Sequence, residues 1–326
     1  MTRDELRALP KVELHLHLDC SMSFESVRAL VPEMTPERYR AEFLAPKKCK
    51  SLVDYFRYLG PPLALLQTRE ALRIQTLDLM RQLAADNVIY AEMRFAPHLH
   101  RQTGLTTDEV VEIVLAALQE GRARYPVEAR LILCTLRPED TASGLDLVRI
   151  ADKYRDQGVG GFDLAGDEAG YPLDKHIPVF RAARDKGLNT TAHAGEAVGA
   201  HSVREVIEQL GTRRVGHGMR SIEDPSVIEL IVANNVHLEV CPSCNVQIDV
   251  FDRYEDHPVD RLRRLGISVG INTDARGPTD LTLTDEYERM QHTFGWGLGE
   301  FRAANRNALA VAFIPPDVRQ ELLARA

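Results

Sequence analysis

The sequence has no run of lysine and arginine, no apolar stretch approaching the roughly 18 residues that cross a bilayer, and no internal repeat, linker or low-complexity tract. Each absence excludes something. With a net charge of −8 and acidic and basic residues interspersed, a nucleic-acid polymer is not an expected partner. No membrane span is expected either, and the opening residues Met1–Arg7 lack the basic-then-apolar layout of a signal peptide. Cysteine is scarce. The five residues Cys20, Cys49, Cys134, Cys241 and Cys244 are odd in number and scattered, which fits reduced thiols in a cytoplasmic protein better than a disulfide framework. Without a linker, one domain spanning residues 1–326 is the economical organisation.

What is present is a regular alternation. Apolar or β-branched segments at Val12–Leu18, Val88–Phe95, Ala129–Leu136, Gly161–Leu164, Asn189–Ala192, Arg214–Gly216, Val236–Val240 and Ile267–Ile271 read as strands. Between them, helical periodicity covers Arg69–Ala85, Thr107–Ala123, Gly144–Gln157, Ile177–Lys186, Val203–Gln209, Pro225–Ala233 and Val259–Arg264. Thr106-x-x-Glu109 reads as a capping box, and Asp224-Pro225 as an N-cap with proline in the first turn. Gly158, Gly187, Gly211 and Gly266 stand just past helix ends, where a left-handed residue is wanted. Eight strands alternating with helices predict an α/β fold of the (β/α)8 barrel type, with an open α/β sheet as the competing arrangement. The proline-punctuated stretch 21–66 follows the first strand and is expected as a helical lid or specificity insertion over the barrel mouth. Thr282–Phe294, Glu300–Ala310 and Pro316–Ala326 are expected as additional C-terminal helices.

The chain is organised around Val12-Glu13-Leu14-His15-Leu16-His17-Leu18-Asp19. On a strand, His15, His17 and Asp19 project to one face and the leucines to the other. Further polar residues crowd the C-terminal ends of later strands: Asp163 through Glu168, His193-Ala194-Gly195-Glu196, Gly216-His217-Gly218 and Asn272-Thr273-Asp274. That is the catalytic end of a barrel. Taken singly, each is an ordinary polar group at a strand end. Together, His15, His17, His193 and Asp274 would make a three-histidine, one-carboxylate zinc site with one position left for water. Asp274 would take the water's proton, Glu196 would deliver a proton to the leaving side of the substrate, and His217 would orient the attacking oxygen.

The stretches PKVELHLHLD (10–19), DLAGDE (163–168), HAGE (193–196), GHG (216–218), EVCPSCN (239–245), NTD (272–274) and LTDEY (283–287) resemble the adenosine deaminase family of the amidohydrolase superfamily, from Pro10 to about Tyr287. The resemblance implies a (β/α)8 barrel with one zinc on His15, His17, His193 and Asp274. It implies that Glu196 protonates purine N1, that His217 and Asp274 handle the attacking water, that the Gly166 backbone meets N3, and that Asp19 reaches the 5′ side of a ribose. The implied reaction converts a 6-aminopurine nucleoside to a 6-oxopurine with release of ammonia. Base-only adenine deaminases of the family carry glutamate where this chain has Asp19, which favours a nucleoside. Three features depart from the family: Ala275 replaces a second aspartate that reaches purine N7, Cys20 replaces a glycine, and Ser21-Met22-Ser23 is atypical. The N7 contact must be lost or supplied elsewhere. The altered 20–23 segment faces the 5′ end, so the expected substrate is adenosine or a 5′-modified adenosine such as methylthioadenosine or aminodeoxyfutalosine. Arg276 is read as an exposed loop arginine in preference to a partner for a substrate carboxylate.

Rival readings remain open at this level. A free-base adenine deaminase, a binuclear amidohydrolase and a non-catalytic nucleoside-binding protein all use the same scaffold. A binuclear site usually needs a bridging lysine or glutamate near the end of strand four, where only Asp163, Asp167 and Glu168 are available, and a binding protein has no need of Glu196. His237-Leu238-Glu239 with Cys241-Pro242-Ser243-Cys244 mimics another zinc signature, but its members crowd around one strand and are expected in the core or behind the site. His98-Leu99-His100 lacks a carboxylate nearby in sequence and is expected in a solvated loop. Arg94 is expected to pair with a barrel carboxylate.

Overall fold

The computed structural model describes residues 1–326. Nine strands run in parallel: β1 Lys11–His17, β2 Val88–Phe95, β3 Glu128–Leu136, β4 Val159–Ala165, β5 Asn189–Thr190, β6 Ala192–Ala194, β7 Arg214–His217, β8 His237–Val240 and β9 Ser268–Ile271. They form two arcs, β1 through β5 and β6 through β9, in sequential order. β5 and β6 occupy the single position expected at 189–192. Thr191 separates them, its N–H bonding to Phe162 O (3.0 Å) and its hydroxyl turning inward to Glu239 (3.0 Å). Counting that pair as one gives the eight positions of a (β/α)8-type barrel, flanked by helices at almost every predicted place.

The other seam closes through side chains before it closes through backbone. Asn272 Oδ1 accepts from Leu14 N (2.8 Å) and His15 N (3.0 Å). Beyond it, His17 N donates to Asp274 O (2.7 Å) and Asp274 N to His15 O (3.0 Å). Thr273 is tied by its N–H to Glu13 (2.9 Å). The Asn-Thr-Asp tripeptide therefore joins β9 to β1 and sets Asp274 beside both β1 histidines. A (β/α)8 barrel needs such closure, because an open edge leaves backbone groups unpaired.

The local signals behave as chemistry demands. Thr106 and Glu109 cap Thr107–Arg124 reciprocally, and Asp224 caps Pro225–Ala233. The helix Arg69–Ala85 buries Leu72, Leu79, Met80 and Leu83 at helical spacing. The helix expected at 203–209 begins earlier, at Ala200, and ends in a π turn over Val206–Leu210. A short helix, Arg3–Ala8, capped by Thr2 and Glu5, was not expected. Residues 21–66 form short helices, of which Leu52–Tyr55 and the turn Phe56–Tyr58 reach the C-terminal mouth of the barrel. Leu298–Val311 and Pro316–Leu323 pack Leu309, Ala312 and Leu322 against Val12, Leu14 and Tyr90 of the first two strands.

Two sequence expectations are overturned. Arg276 is not an exposed loop residue: it is 4% exposed and its Nη2 pairs with Glu13 (2.6 Å) and Asp86 (3.2 Å). The turn after β9 folds inward, where Arg276 N meets Ser21 Oγ (3.2 Å), so the guanidinium answers two buried carboxylates. Nor is His98-Leu99-His100 a solvated loop. It forms a 3-10 turn in which His98 pairs with Glu139 and the buried His100 reaches Leu66 O (2.8 Å) and Asp19 (3.4 Å). Its carboxylate partners lie far away in sequence. Because removing one partner of a buried ion cluster strands the others, Arg276→Met should cost about 3–5 kcal/mol of stability. Urea unfolding checks this as a lower midpoint at unchanged m.

Candidate active site

β1, β6, β7 and the turn after β9 bring His15, His17, His193, His217 and Asp274 together. His17 Nε2 and His193 Nε2 are 3.2 Å apart, and Asp274 Oδ1 lies 3.3 Å from His17 Nε2 and 3.5 Å from His15 Nε2. The outward nitrogens reveal which atoms carry protons. His193 Nδ1 faces Leu164 O (3.0 Å) and Asp163 (3.2 Å), and His15 Nδ1 faces Glu239 (3.0 Å), all acceptors. Their Nε2 atoms are therefore bare lone pairs pointing inward, and His15 Nε2 has no hydrogen-bond partner. Burial lowers the His17 pKa to about 3, which leaves that ring neutral as well. Converging lone pairs repel unless a cation lies between them, so the donor set fits a divalent metal with oriented imidazole ligands.

Charge leads to the same place. Inside the barrel, Arg94 pairs with Asp163 (3.0 Å) and Glu239 (2.6 Å), as expected of it, and Arg214 pairs with Glu92 (2.7 Å) and Glu239 (2.6 Å). With Asp274, four carboxylates face two guanidiniums, leaving two negative charges beside the three histidines. One divalent cation neutralises them.

His217 differs from the other three histidines, and a chain of hydrogen bonds shows why. Val259 N–H donates to His257 Nδ1 (3.2 Å), so the proton of that ring, which burial keeps neutral with a pKa near 3, sits on Nε2. His257 Nε2 donates to Asn245 Oδ1 (3.3 Å), and Asn245 Nδ2 in turn donates to His217 Nδ1 (3.2 Å). Burial, with His15 beside the ring, holds the His217 pKa well below its usual value, so its single proton is on Nε2. This assignment follows from the network. That N–H points between Glu196 Oε1 (3.5 Å) and Asp274 Oδ2 (4.0 Å). His217 is thus equipped to donate, and neither to ligate a metal nor to act as a base. Gly216 makes room for the site: a Cβ there would lie 2.8 Å from His15 Cε1. His217 (φ 63°) and Asp274 (φ 65°) both adopt left-handed backbone, two of the six non-glycine residues of the chain that do.

Glu196 is buried and its pKa is pushed well above the usual range, first by burial and then by the nearby Asp274 and Glu168 carboxylates. Both causes favour its protonated form. Glu168 fixes its loop, accepting from the backbone N–H groups of Gly195 (2.7 Å), Glu196 (3.1 Å), Ala197 (2.7 Å) and Val198 (2.9 Å). Burial works to raise the Asp274 pKa, but the surrounding histidines, His15 first among them, hold it well below the usual range.

These groups form the floor of a narrow pocket of about 60 Å³ whose walls include Cys20, Leu52, Tyr55, Phe56, Leu59, Ala165, Gly166, Cys244 and Ala275. Gly166 lines it. Asp19 does not: β1 ends at His17, and the Asp19 carboxylate sits in the following turn, held by His100 and by the Cys20 thiol (3.5 Å). The rival cluster around β8 disperses. His237 bonds Ser268 (2.8 Å), Glu239 orients His15, and the Cys241 thiol donates to Glu239 O (3.6 Å). Sequence reasoning missed the roles of Glu168, Asn245, His257 and Asn272. Glu168, Asn245 and Asn272 were signalled only by their place in the quoted motifs, and His257 by nothing in the sequence.

The family model for adenosine deaminase matches residues 10–326. An adenosine deaminase of Clostridium acetobutylicum is 34% identical, with the alignment covering 98% of each chain. One from Mycobacterium ulcerans is 36% identical over 99% of this chain and 95% of its own. Among solved structures, an adenine deaminase from Arthrobacter aurescens superposes with a TM-score of 0.88 at 27% identity, covering 98% of both chains.

The hydrogen-bond chain has a measurable consequence. In Asn245→Asp the isosteric carboxylate can only accept, which draws the His217 proton from Nε2 to Nδ1. The imidazole 15N shifts of His217 should exchange their assignments, and kcat should fall about 10²-fold, in the range of a lost oriented donor, with KM little changed.

Proposed function

The chain belongs to the adenosine deaminase family, and on that premise we propose that it hydrolyses the 6-amino group of an adenosine-type nucleoside, leaving a 6-oxopurine and ammonia. The protein is a hydrolase of the adenosine/adenine deaminase type acting on C–N bonds. The observation that carries the finer reading is a buried Glu196 facing the His217–Asp274 pair at the floor of the pocket.

Zinc held by His15, His17, His193 and Asp274 would act as a Lewis acid, bringing the pKa of water from 15.7 toward about 7. The remaining work belongs to this chain's own side chains. Glu196 donates its proton to ring nitrogen N1, which makes C6 electrophilic. Asp274 takes a proton from the attacking water, and His217 Nε2–H aims and stabilises the oxygen as the C6–O bond forms. Return of that proton to the amino nitrogen lets the C6–N bond break, releasing ammonia, and the remaining proton on the C6 oxygen passes to Glu196 as the carbonyl forms. The backbone at Gly166 meets N3, and Asp19 marks the 5′ side of the ribose, next to Cys20 in the pocket wall.

Two observations narrow the alternatives. Asp163 is fully engaged by Arg94 and His193, which leaves it no freedom to bridge a second metal. The pocket is lined by no lysine or arginine, and Arg276 is turned away into its own ion cluster, so no cation awaits a carboxylated 5′ substituent. The reading therefore favours adenosine or an uncharged 5′-modified adenosine such as methylthioadenosine over aminodeoxyfutalosine. Five free thiols fit the reducing cytoplasm.

Spectrophotometry of the zinc-loaded enzyme with adenosine, 5′-deoxyadenosine, methylthioadenosine, aminodeoxyfutalosine and adenine tests the substrate. A nucleoside should be consumed fastest, and faster turnover of free adenine would overturn the nucleoside reading. Glu196→Gln should still bind nucleoside while kcat drops about 10²–10⁴-fold. In the native enzyme, kcat should decline as rising pH removes the Glu196 proton, at a pH above the ordinary carboxylate range because its pKa is raised.

A further inference from the structure

The chemistry above uses His17, His193, Glu196, His217 and Asp274, which leaves three polar side chains in the pocket wall: Cys20, Cys244 and Tyr55. The Cys20 thiol is directed to Asp19 (3.5 Å). The Cys244 sulfur lies within 4.8 Å of carboxylate oxygens of both Asp274 and Glu196, an acceptor pair for its hydrogen. Tyr55 is different. Its side chain is 3% exposed, and its hydroxyl has no hydrogen-bond partner.

Such a hydroxyl is costly. A buried donor without an acceptor destabilises a fold by about 1–3 kcal/mol, and phenylalanine would fill the same space without that cost. The ring ends the short helix Leu52–Tyr55 and packs among Cys20, Cys241, Cys244 and Ala275. Burial, with Cys244 and Asp274 near it, raises its pKa well above the usual value, so it is a neutral donor at any physiological pH. A ligand in the pocket can bring the acceptor it lacks.

A 6-aminopurine presents acceptors on both sides of C6: N1 on one, N7 on the other. With N1 at Glu196, N7 is turned toward the wall that continues from Asp274 into Ala275, Cys244 and Tyr55. Ala275 offers only a methyl group. We propose that the Tyr55 hydroxyl donates a hydrogen bond to N7 of the bound purine, and that this contact selects rings carrying a nitrogen at that position. The inference rests on the deaminase reading for the orientation of the ring.

The test compares adenosine with 7-deazaadenosine, which replaces N7 by C–H, in the native enzyme and in Tyr55→Phe. The native, zinc-loaded enzyme should prefer adenosine in kcat/KM by about 5- to 100-fold, the range of an unpaired buried donor. In Tyr55→Phe that preference should collapse toward the intrinsic difference between the rings, chiefly through loss with adenosine. The ratio of ratios cancels ring reactivity. An unchanged preference in the variant overturns the proposal. The same pair is measured by calorimetric binding to Glu196→Gln with and without Tyr55→Phe, which needs no turnover. Discrimination that depends on Tyr55 there sustains the proposal even if catalysis takes another course, whereas equal binding of both nucleosides, or of neither, overturns it. The free Tyr55→Phe protein should melt no lower than the native one, because the substitution removes an unsatisfied group. A fall in melting temperature accompanied by equal losses with both nucleosides would make Tyr55 merely structural and overturn the assignment.

Discussion

The Glu239 carboxylate lies fully buried at the centre of the barrel, and the site above it depends on how it is held. Arg94 and Arg214 grip it from two sides and keep its pKa well below the usual range despite burial. Thus ionised, it accepts the Nδ1 proton of His15, and the opposite nitrogen becomes a lone pair aimed at Asp274. The same Arg94 holds Asp163, which does this for His193. One guanidinium therefore sets the ligating face of two imidazoles on strands far apart in sequence. Buried ion pairs contribute little net stability. Here the return is orientation: two rings with their protons turned outward and a negative residue of charge suited to one divalent ion.

Strain and closure occur together. The barrel shuts at Asn272-Thr273-Asp274, and Asp274 adopts its left-handed backbone where the seam becomes backbone-bonded. β7 ends in another such residue, His217. Both are held in place by neighbours with independent reasons to be there: Glu13 on Thr273, Asn245 on His217, and the absence of a side chain at Gly216. Preorganisation of this kind lets donors meet a developing charge without moving.

How much of this was legible in the sequence depends on distance along the chain. Helix caps, strand alternation and the strand-end clusters involve residues within a few positions of one another, and they read correctly, down to Arg69–Ala85 and Val88–Phe95 at their ends. The convergence of His15, His17, His193 and Asp274 was legible because each stands at a strand end and a barrel brings those ends together. What could not be read were pairings across long separations. Arg276 looked like a loop cation because its partners Glu13 and Asp86 are 263 and 190 residues away. His100 looked solvated because Asp19 is 81 residues away. The break of the fifth strand at Thr191 follows from a hydroxyl turned toward Glu239, which no local pattern announces.

The chain from His217 through Asn245 and His257 terminates on a peptide N–H at Val259. An amide group at that end neither gives up its proton nor accepts another at ordinary pH, and the asparagine in the middle is equally inert. The row of groups resembles a proton wire but is blocked at its far end. Every hydron exchanged during turnover must therefore travel through the mouth of the pocket, carried by water, substrate or departing ammonia. The interior of the barrel supplies a fixed dipole and no reservoir.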